Sequence, residues 1–585
     1  MDALRTAVLS SRFEAVVRSM MNTIFRTGRS GVLNSAHDFS CCVVTAGDEL
    51  LVGAESLPIH MLSGPDLISR AIKRAHPELR RGDAFLHNSP YAGNSHAADH
   101  CLAVPVTDDN GRLRFLVVAK AHQADCGNSA PTTYMGAAKD VYEEGALLFD
   151  AFKVQADGRD NDDLIRMCRL RIRVPDQWWG DYLALIGAVR VGERRLLELA
   201  QDLGWEALDE FAEEWLDYSE RRMDAALRRL PDGSLTLMTR HDPFPGAPDG
   251  VVIRATVQVE ASAGRIQIDL RDNPDCLPNG LNLTESTART AAMIGVYNSI
   301  ATAVPANAGS LRRVSVLLRE NCAVGIPVHP TSCSAATTNL ADRVANVVQR
   351  AIAELADGAG MAECGPVIPA SASVVSGRDP RDGNRPFVNQ IFLALTGGAA
   401  GPQVDAWQTI GHVGAAGMLR RDSVEIAEQR HPLRVRELRM LPDTEGAGRT
   451  RGASSARAEF GPVGTSLSLA YGCDGTTSPA LGARGGLCGG PPAHVKRGRD
   501  GRLVPLPAIG IVTLEDGETM IATTSGGGGY GSPMLRDTEV VRHDVQERWV
   551  TRARAREVYG VILDEALAVD ADATAARRNT AGRSG

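Results

Sequence analysis

Apolar positions recur at helical spacing from the start of the chain: Phe13, Val16, Val17, Met20 and Met21 share one side of a helix predicted over the first 25 or so residues. The period then falls to two. Phe39–Thr45 and Leu50–Val52 flank Ala46-Gly47-Asp48, and His100–Val106 and Leu113–Ala121 flank Asn110-Gly111, which predicts two hairpins. Arg190–Leu230 returns to helical spacing and stops at Pro231-Asp232-Gly233, a predicted pair of helices closed by a domain boundary. Beyond it Val251–Val259 and Arg265–Leu270 alternate as half-buried strands, while Glu285–Thr302 and Asn339–Leu355 read as helices. Residues 357–535 are rich in Gly and Pro and predict short strands between long loops. A last helix is expected over Arg552–Ala568, and 571–585 has little to bury. The fold class expected is therefore mixed α/β (α+β). Its parts are a half of β-hairpins and helices over 1–235, an α/β half over 236–568, and a mobile tail over 569–585.

Composition narrows the function classes. A chain of 585 residues, 43% hydrophobic, has room for two to four domains of roughly 100–200 residues each. With 63 basic against 71 acidic residues and no run of either sign, there is no electrostatic footprint for nucleic acid. Eleven scattered cysteines without a C-x-x-C pair suit reduced thiols. Met1–Arg12 has no apolar signal region and no stretch is long enough to span a membrane, so a cytoplasmic location is expected.

Histidine placement carries the chemistry. Seven of the 13 histidines (His37, His60, His76, His87, His96, His100 and His122) fall between positions 37 and 122. Asn-Gly favours a two-residue hairpin turn, which would set Asp109 opposite Arg112 and, further along, His122 opposite Asp99. Their Cβ atoms would then lie roughly 4.5–5.5 Å apart. His96, three residues before Asp99, joins them if the loop from Gly93 curls back. Two imidazoles and a carboxylate with open positions suit a divalent metal such as zinc, manganese or iron. Asp38 and Asp125 are further candidate ligands or orienting acceptors. Asp125 and His100 are the candidate catalytic residues, although strand geometry turns His100 to the opposite face, where packing is its expected part. A one-residue slip in register would remove His122 from the site. Elsewhere, Cys126 is a candidate nucleophile without a sequence-local base, its other reading being a small buried hydrophobe. The run Gly526-Gly527-Gly528-Gly529 is open to two readings, an anion-binding loop or a tight packing point, and no Gly-Lys-Ser/Thr ending accompanies it.

The same residues resemble the hydantoinase B/oxoprolinase family. The resemblance runs through Asp38-Phe-Ser-Cys, Pro58-Ile-His-Met, Asn88-Ser-Pro-Tyr-Ala-Gly-Asn-Ser-His96, Ala121-His122-Gln-Ala-Asp125 and Val141-Tyr-Glu-Glu-Gly-Ala. It continues through Asn307-Ala-Gly-Ser-Leu-Arg-Arg, Gly446-Ala-Gly-Arg-Thr-Arg-Gly, Gly526-Gly-Gly-Gly-Tyr-Gly and Ala555-Arg-Glu-Val-Tyr-Gly. It implies one subunit of a hetero-oligomer. A hydantoinase A-type ATPase partner, holding ATP and magnesium, would phosphorylate the substrate carbonyl, and the present chain would complete the reaction at a divalent metal. By that resemblance His96, Asp99 and His122 match the ligands of the carboxylase branch, and Asp38 and Asp125 match acidic positions of the lactamase branch. The chain departs from the family pattern at 396–407 and 422–428, loops that could line the pocket. The expected reaction is ATP-dependent hydrolysis of a cyclic amide (hydantoin, lactam or oxoproline). A ketone carboxylase of the acetone or acetophenone type is the alternative, and a scaffold subunit without catalysis the second.

Overall fold

In the computed structural model, which describes residues 3–300 and 303–581, the first apolar stripe forms α1 (Ala3–Thr27), burying Phe13, Val16, Val17, Met20 and Ile24. It covers a seven-stranded antiparallel sheet. The strand order is β2 (Leu50–Gly53), β1 (Phe39–Thr45), β5 (Leu113–His122), β4 (Asp99–Thr107), β3 (Ala84–His87), β6 (Phe152–Ala156) and β7 (Arg159–Asp160). Alternation gives the sheet two faces. Leu102, Val104, Phe115 and Val117 pack under α1 and the long helix α3 (Pro175–Leu203), whereas Cys101, Ala103, Leu116 and Val118 join Ile68 and Ile72 on the other side. Gly192 lets α3 come this close: a Cβ there would lie 2.6 Å from Met20 Sδ and from Val117 Cγ1.

A second sheet, ordered β11 (Val314–Leu317), β10 (Arg265–Asp269), β9 (Val251–Glu260) and β8 (Gly233–His241), buries Val251, Ile253, Ala255, Val257 and Val259 against α5 (Glu285–Ser299) and α6 (Leu340–Leu355). The short helix α2 (Pro58–Met61) belongs to the N-terminal sequence, yet Leu57, Ile59 and Leu62 around it sit in this second core. Two further sheets, of four and five strands, fill 374–523 and share a core with Phe460, Leu469 and Met520. The mixed α/β reading therefore stands.

Three boundaries differ from expectation. The helical pair begins earlier, with α3 opening at Pro175 and α4 (Trp205–Leu227) following Gly204; Gly180 and Gly187 blur the period there. The expected Arg552–Ala568 helix ends at Glu557, shortly before Gly560 with φ of 66°. Where a structureless tail is expected, Ala571–Ala581 forms α7. Polar contacts hold it: Arg578 donates to the Tyr559 carbonyl at 3.1 Å and the Arg536 carbonyl at 2.7 Å, and Thr574 is buried. A helix anchored this way leaves no apolar stripe to read. Residues 1–2, 301–302 and 582–585 of the expected elements lie outside the described residues. All eleven cysteines are free. No described helix is long and apolar enough to cross a membrane.

Candidate metal centre

The β4–β5 hairpin reaches its expected register by a different route. Asp99 pairs with His122, and pairing holds this register through Val106 and Phe115. The turn, however, is not the two-residue kind: Asp108 N–H donates to Arg112 O at 3.0 Å, Gly111 N–H to Asp108 O at 3.0 Å, and Gly111 alone of the loop has positive φ, 78°. A three-residue loop shifts the register by one, and a bulge between Val106 and Thr107, opposite Arg114, shifts it back. β1 adds a third row. Its pairing with β5 runs Phe39 to Ala121, and His122 N–H donates to Asp38 O at 3.1 Å, which places Asp38, His122 and Asp99 side by side across three strands.

His96 arrives from the loop before β4. The Asn94 amide donates to the carbonyls of His96 (2.7 Å) and Asp99 (2.9 Å) and clamps the curl. His96 Nε2 then lies 2.9 Å from Asp99 Oδ1, His122 Nδ1 lies 3.1 Å from the same oxygen, and the two ring nitrogens are 3.2 Å apart. All three residues are buried. His96 Nδ1–H can only donate to the Ser334 carbonyl, at 2.8 Å, so its Nε2 presents a lone pair inward; His122 Nε2 is engaged by Thr133 Oγ1 at 3.0 Å. With Nε2–H donating to that hydroxyl, three acceptors face one point, an arrangement that a cation relieves. These residues, the one such group of at least three among those described, fit a divalent metal. Burial alone would push Asp99 up, yet His96 and His60 hold it well below the usual carboxylate range. Burial likewise opposes charge on His96, but Asp99 outweighs it and the imidazole stays above its ordinary value.

His60 is the residue that sequence reasoning missed. From α2 its Nε2 lies 3.2 Å from Asp99 Oδ2 and 3.6 Å from Asp38 Oδ1, so it bridges the two carboxylates. Its signals are membership of the histidine-rich segment and of the Pro58-Ile-His-Met block, but no spacing ties it to Asp99. Ser95 also donates to Asp99 Oδ2.

Two expected residues lie elsewhere. Asp125 accepts from Arg173 N (2.7 Å), Arg173 Nη1 (3.1 Å) and Gly127 N (3.1 Å), which spends its carboxylate on fastening a loop to Arg173 and leaves it outside the metal group. His100 is on the opposite face, as alternation requires: Trp178 Nε1–H donates to its Nδ1 at 3.3 Å, Phe149 meets it edge-on, and burial pushes its pKa down to about 3. It packs and does not join the cluster. Cys126 is likewise a core thiol, which burial holds well above its ordinary pKa.

A narrow cavity opens beside the cluster. Asp38, His60 and His122 form one part of its wall, and Tyr134, Thr337, Thr338, Gln390 and His412 supply further polar groups. Between them are Leu57, Ile59, Val367, Ile368, Phe392, Leu395 and Leu419. The cavity thus draws on both halves of the sequence.

The glycine run is a packing point. Amides of Gly526, Gly527, Gly528 and Gly529 donate to carbonyls of Gly490, Ala453, Glu363 and Leu487 at 2.8–2.9 Å, so none is left for an anion. A Cβ on Gly527 would come within 1.8 Å of Gly398 O.

The hydantoinase B/oxoprolinase family model matches residues 2–533. The caprolactamase beta chain of Pseudomonas jessenii is 29% identical over 590 residues, covering 99% of each chain. The crystal structure of the ATP-dependent caprolactamase from that organism superimposes with a TM-score of 0.90 at 28% identity, covering 99% of this chain and all of that one. A protein named as the B-type component of a D-/L-hydantoinase in Pseudomonas sp. (strain NS671) is 26% identical over 600 residues, covering 98% of this chain and 97% of its own. The nucleotide-free acetone carboxylase structure matches all of this chain and 83% of its own with a TM-score of 0.88. At 16% identity that likeness speaks to the fold alone.

Proposed function

This chain belongs to the hydantoinase B/oxoprolinase family, and on that footing we propose that it is the ring-opening subunit of an ATP-dependent hydrolase of cyclic amides. The observation that carries the reading is the buried convergence of His96, Asp99 and His122 beside a cavity with apolar walls. A relative named as the beta chain of a caprolactamase implies an alpha-type partner, and in our reading that ATPase subunit supplies the substrate with its carbonyl oxygen phosphorylated.

His96, Asp99 and His122 would hold a divalent metal, which supplies a Lewis acid that makes water easier to deprotonate near neutral pH. Asp38, at the cavity wall and 3.6 Å from His60, takes the proton of the attacking water. His60 stands between Asp38 and Asp99 and keeps the two carboxylates at fixed spacing. Ile59, Val367, Ile368 and Phe392 line the cavity, which at about 20 Å³ has to widen to admit a ring, and in the widened cavity they would face the ring methylenes and keep bulk water out. The location that fits this role is the cytoplasm, where ATP is available.

The test is co-purification with a hydantoinase A-type ATPase subunit, followed by assays of lactams, hydantoins and 5-oxoproline with ATP. Ring opening coupled to ADP formation is expected. Carboxylation of a ketone with bicarbonate, and no ring opened, would replace this reading with the carboxylase one. Retention of full activity after complete metal removal would end the metal mechanism.

A further inference from the structure

The cavity that Asp38, His60 and His122 line also meets a second buried pair that the proposed mechanism does not use. His412 lines the cavity and is almost wholly buried, and its Nδ1–H donates to Asp342 Oδ1 at 2.9 Å. Asp342 is the third residue of α6, with no exposure. The same oxygen accepts from Gly414 N at 3.3 Å, and its Oδ2 is buried without a partner. Gly414 lies flat against the imidazole: a Cβ there would come 2.8 Å from His412 Cε1 and 3.0 Å from Nδ1. One ring nitrogen is thus tied to a carboxylate, and among the described residues nothing bonds Nε2, which is left for the cavity. His241 shows the contrast. It is equally buried, but Nδ1 is bonded to Asp242 O at 2.8 Å and Nε2 to Asn339 Nδ2 at 3.0 Å, as expected of a histidine that only packs.

We propose that His412, oriented by Asp342, is the general acid that protonates the ring nitrogen when water adds to the substrate. The inference rests on the cyclic-amide reading above. The substrate class is an O-phosphorylated cyclic imidate, with a C=N bond in the ring. As the water oxygen forms its bond to the ring carbon, the π pair of C=N moves onto nitrogen. That nitrogen takes the proton from His412 Nε2, and the proton released by water passes to the Asp38 carboxylate on the metal side of the cavity. The product is a tetrahedral adduct that keeps its phosphoryl group; as its C–N bond breaks, the adduct's hydroxyl proton passes through the now neutral His412 to the nitrogen, which leaves as the amine, and an acyl phosphate remains. An acid and a base are needed at different atoms, and the cavity is lined by one of each, His412 and Asp38. Burial by itself depresses the imidazolium, but Asp342 outweighs it and keeps His412 above its ordinary value, in the protonated form an acid requires.

The experiment uses the full chain in complex with its ATPase partner. His412→Asn keeps a donor for Asp342 and lacks any group at the Nε2 position, and His412→Gln places a donor near Nε2 that cannot transfer its proton. Each is assayed on a lactam, whose leaving nitrogen is strongly basic, and on a hydantoin, whose leaving nitrogen is not. Both variants are expected to keep the metal and a KM within a few fold, and to lose about 10²–10⁴-fold in kcat on the lactam. The loss on the hydantoin should be at least tenfold smaller, because a weakly basic nitrogen needs less help to leave. Asp342→Asn, a positioning change, should reproduce the same lactam bias at smaller size. Equal losses on both rings, or wild-type kcat in His412→Asn, overturn the proposal while the cyclic-amide reading stands. A wild-type complex that opens neither ring overturns both.

Discussion

The histidine-rich strand ends and the four-glycine run both stand out in the sequence as places for a ligand, and the fold treats them in opposite ways. At the strand ends the backbone is fully paired while side-chain lone pairs of His96, His122 and Asp99 are turned toward one another. In the glycine run the side chains are absent and every amide is already donated to a neighbouring carbonyl. A binding site needs polar groups left unsatisfied by the protein itself, and only the first region has them. Glycine in the second region serves close backbone approach and nothing more.

The comparison is broken most directly by His122→Ala. The purified protein should retain its fold by circular dichroism and lose its divalent metal, about one per chain in the parent, with ring opening falling to background. Metal kept by this variant would remove the cluster as the site. Next in size is Thr133→Val, which takes away the hydroxyl engaging His122 Nε2 at little cost in volume. Competition with a chromogenic chelator should show metal affinity weaker by about 10–100-fold.

Gly527→Ala probes the other side. The clash is with backbone, Gly398 O, which cannot rotate away, so stability should drop by roughly 1–3 kcal/mol or more. Metal content per folded chain should be unchanged and inorganic phosphate should give no thermal protection. Protection by phosphate in the parent protein would revive the anion-loop reading.

The smallest effect contrasts a histidine of the cluster with one that lies outside both regions. His96 is held up by a carboxylate, whereas His494, buried with Nε2 accepting from Ala370 N at 3.1 Å, is pushed down to about 4 by burial. His494 is therefore neutral in the folded chain but protonates near pH 6.5 when unfolded. Its contribution is complete above about 6.5 and is lost as pH falls towards 4, at up to ~1.4 kcal/mol per pH unit. His494→Gln should make the fall in unfolding midpoint between pH 7 and 5 shallower; an unchanged slope would show that the group is already charged in the fold.

Much of the fold is legible because its elements are patterned locally. Phe13, Val16, Val17 and Met20 announce α1, and the alternation in β9 announces a half-buried strand. The Asp99–His122 pair is legible too, though a two-residue turn is off by one residue, and the bulge at Val106/Thr107 cancels the error. A side-chain period of two also places His100 on the packing face. The docked helix α7 is illegible, because polar contacts rather than an apolar stripe hold it.

The sequence by itself determined which residues share a face, since strand period and hairpin pairing are properties of neighbouring backbone. From these came His122 opposite Asp99. Tertiary structure alone decided that His60 bridges Asp38 and Asp99, that Arg173 takes Asp125 out of the site, and that Asp342 aims His412 into the cavity. Those contacts join segments separated by up to 70 residues, and nothing in the local period of either segment records where the other will pack.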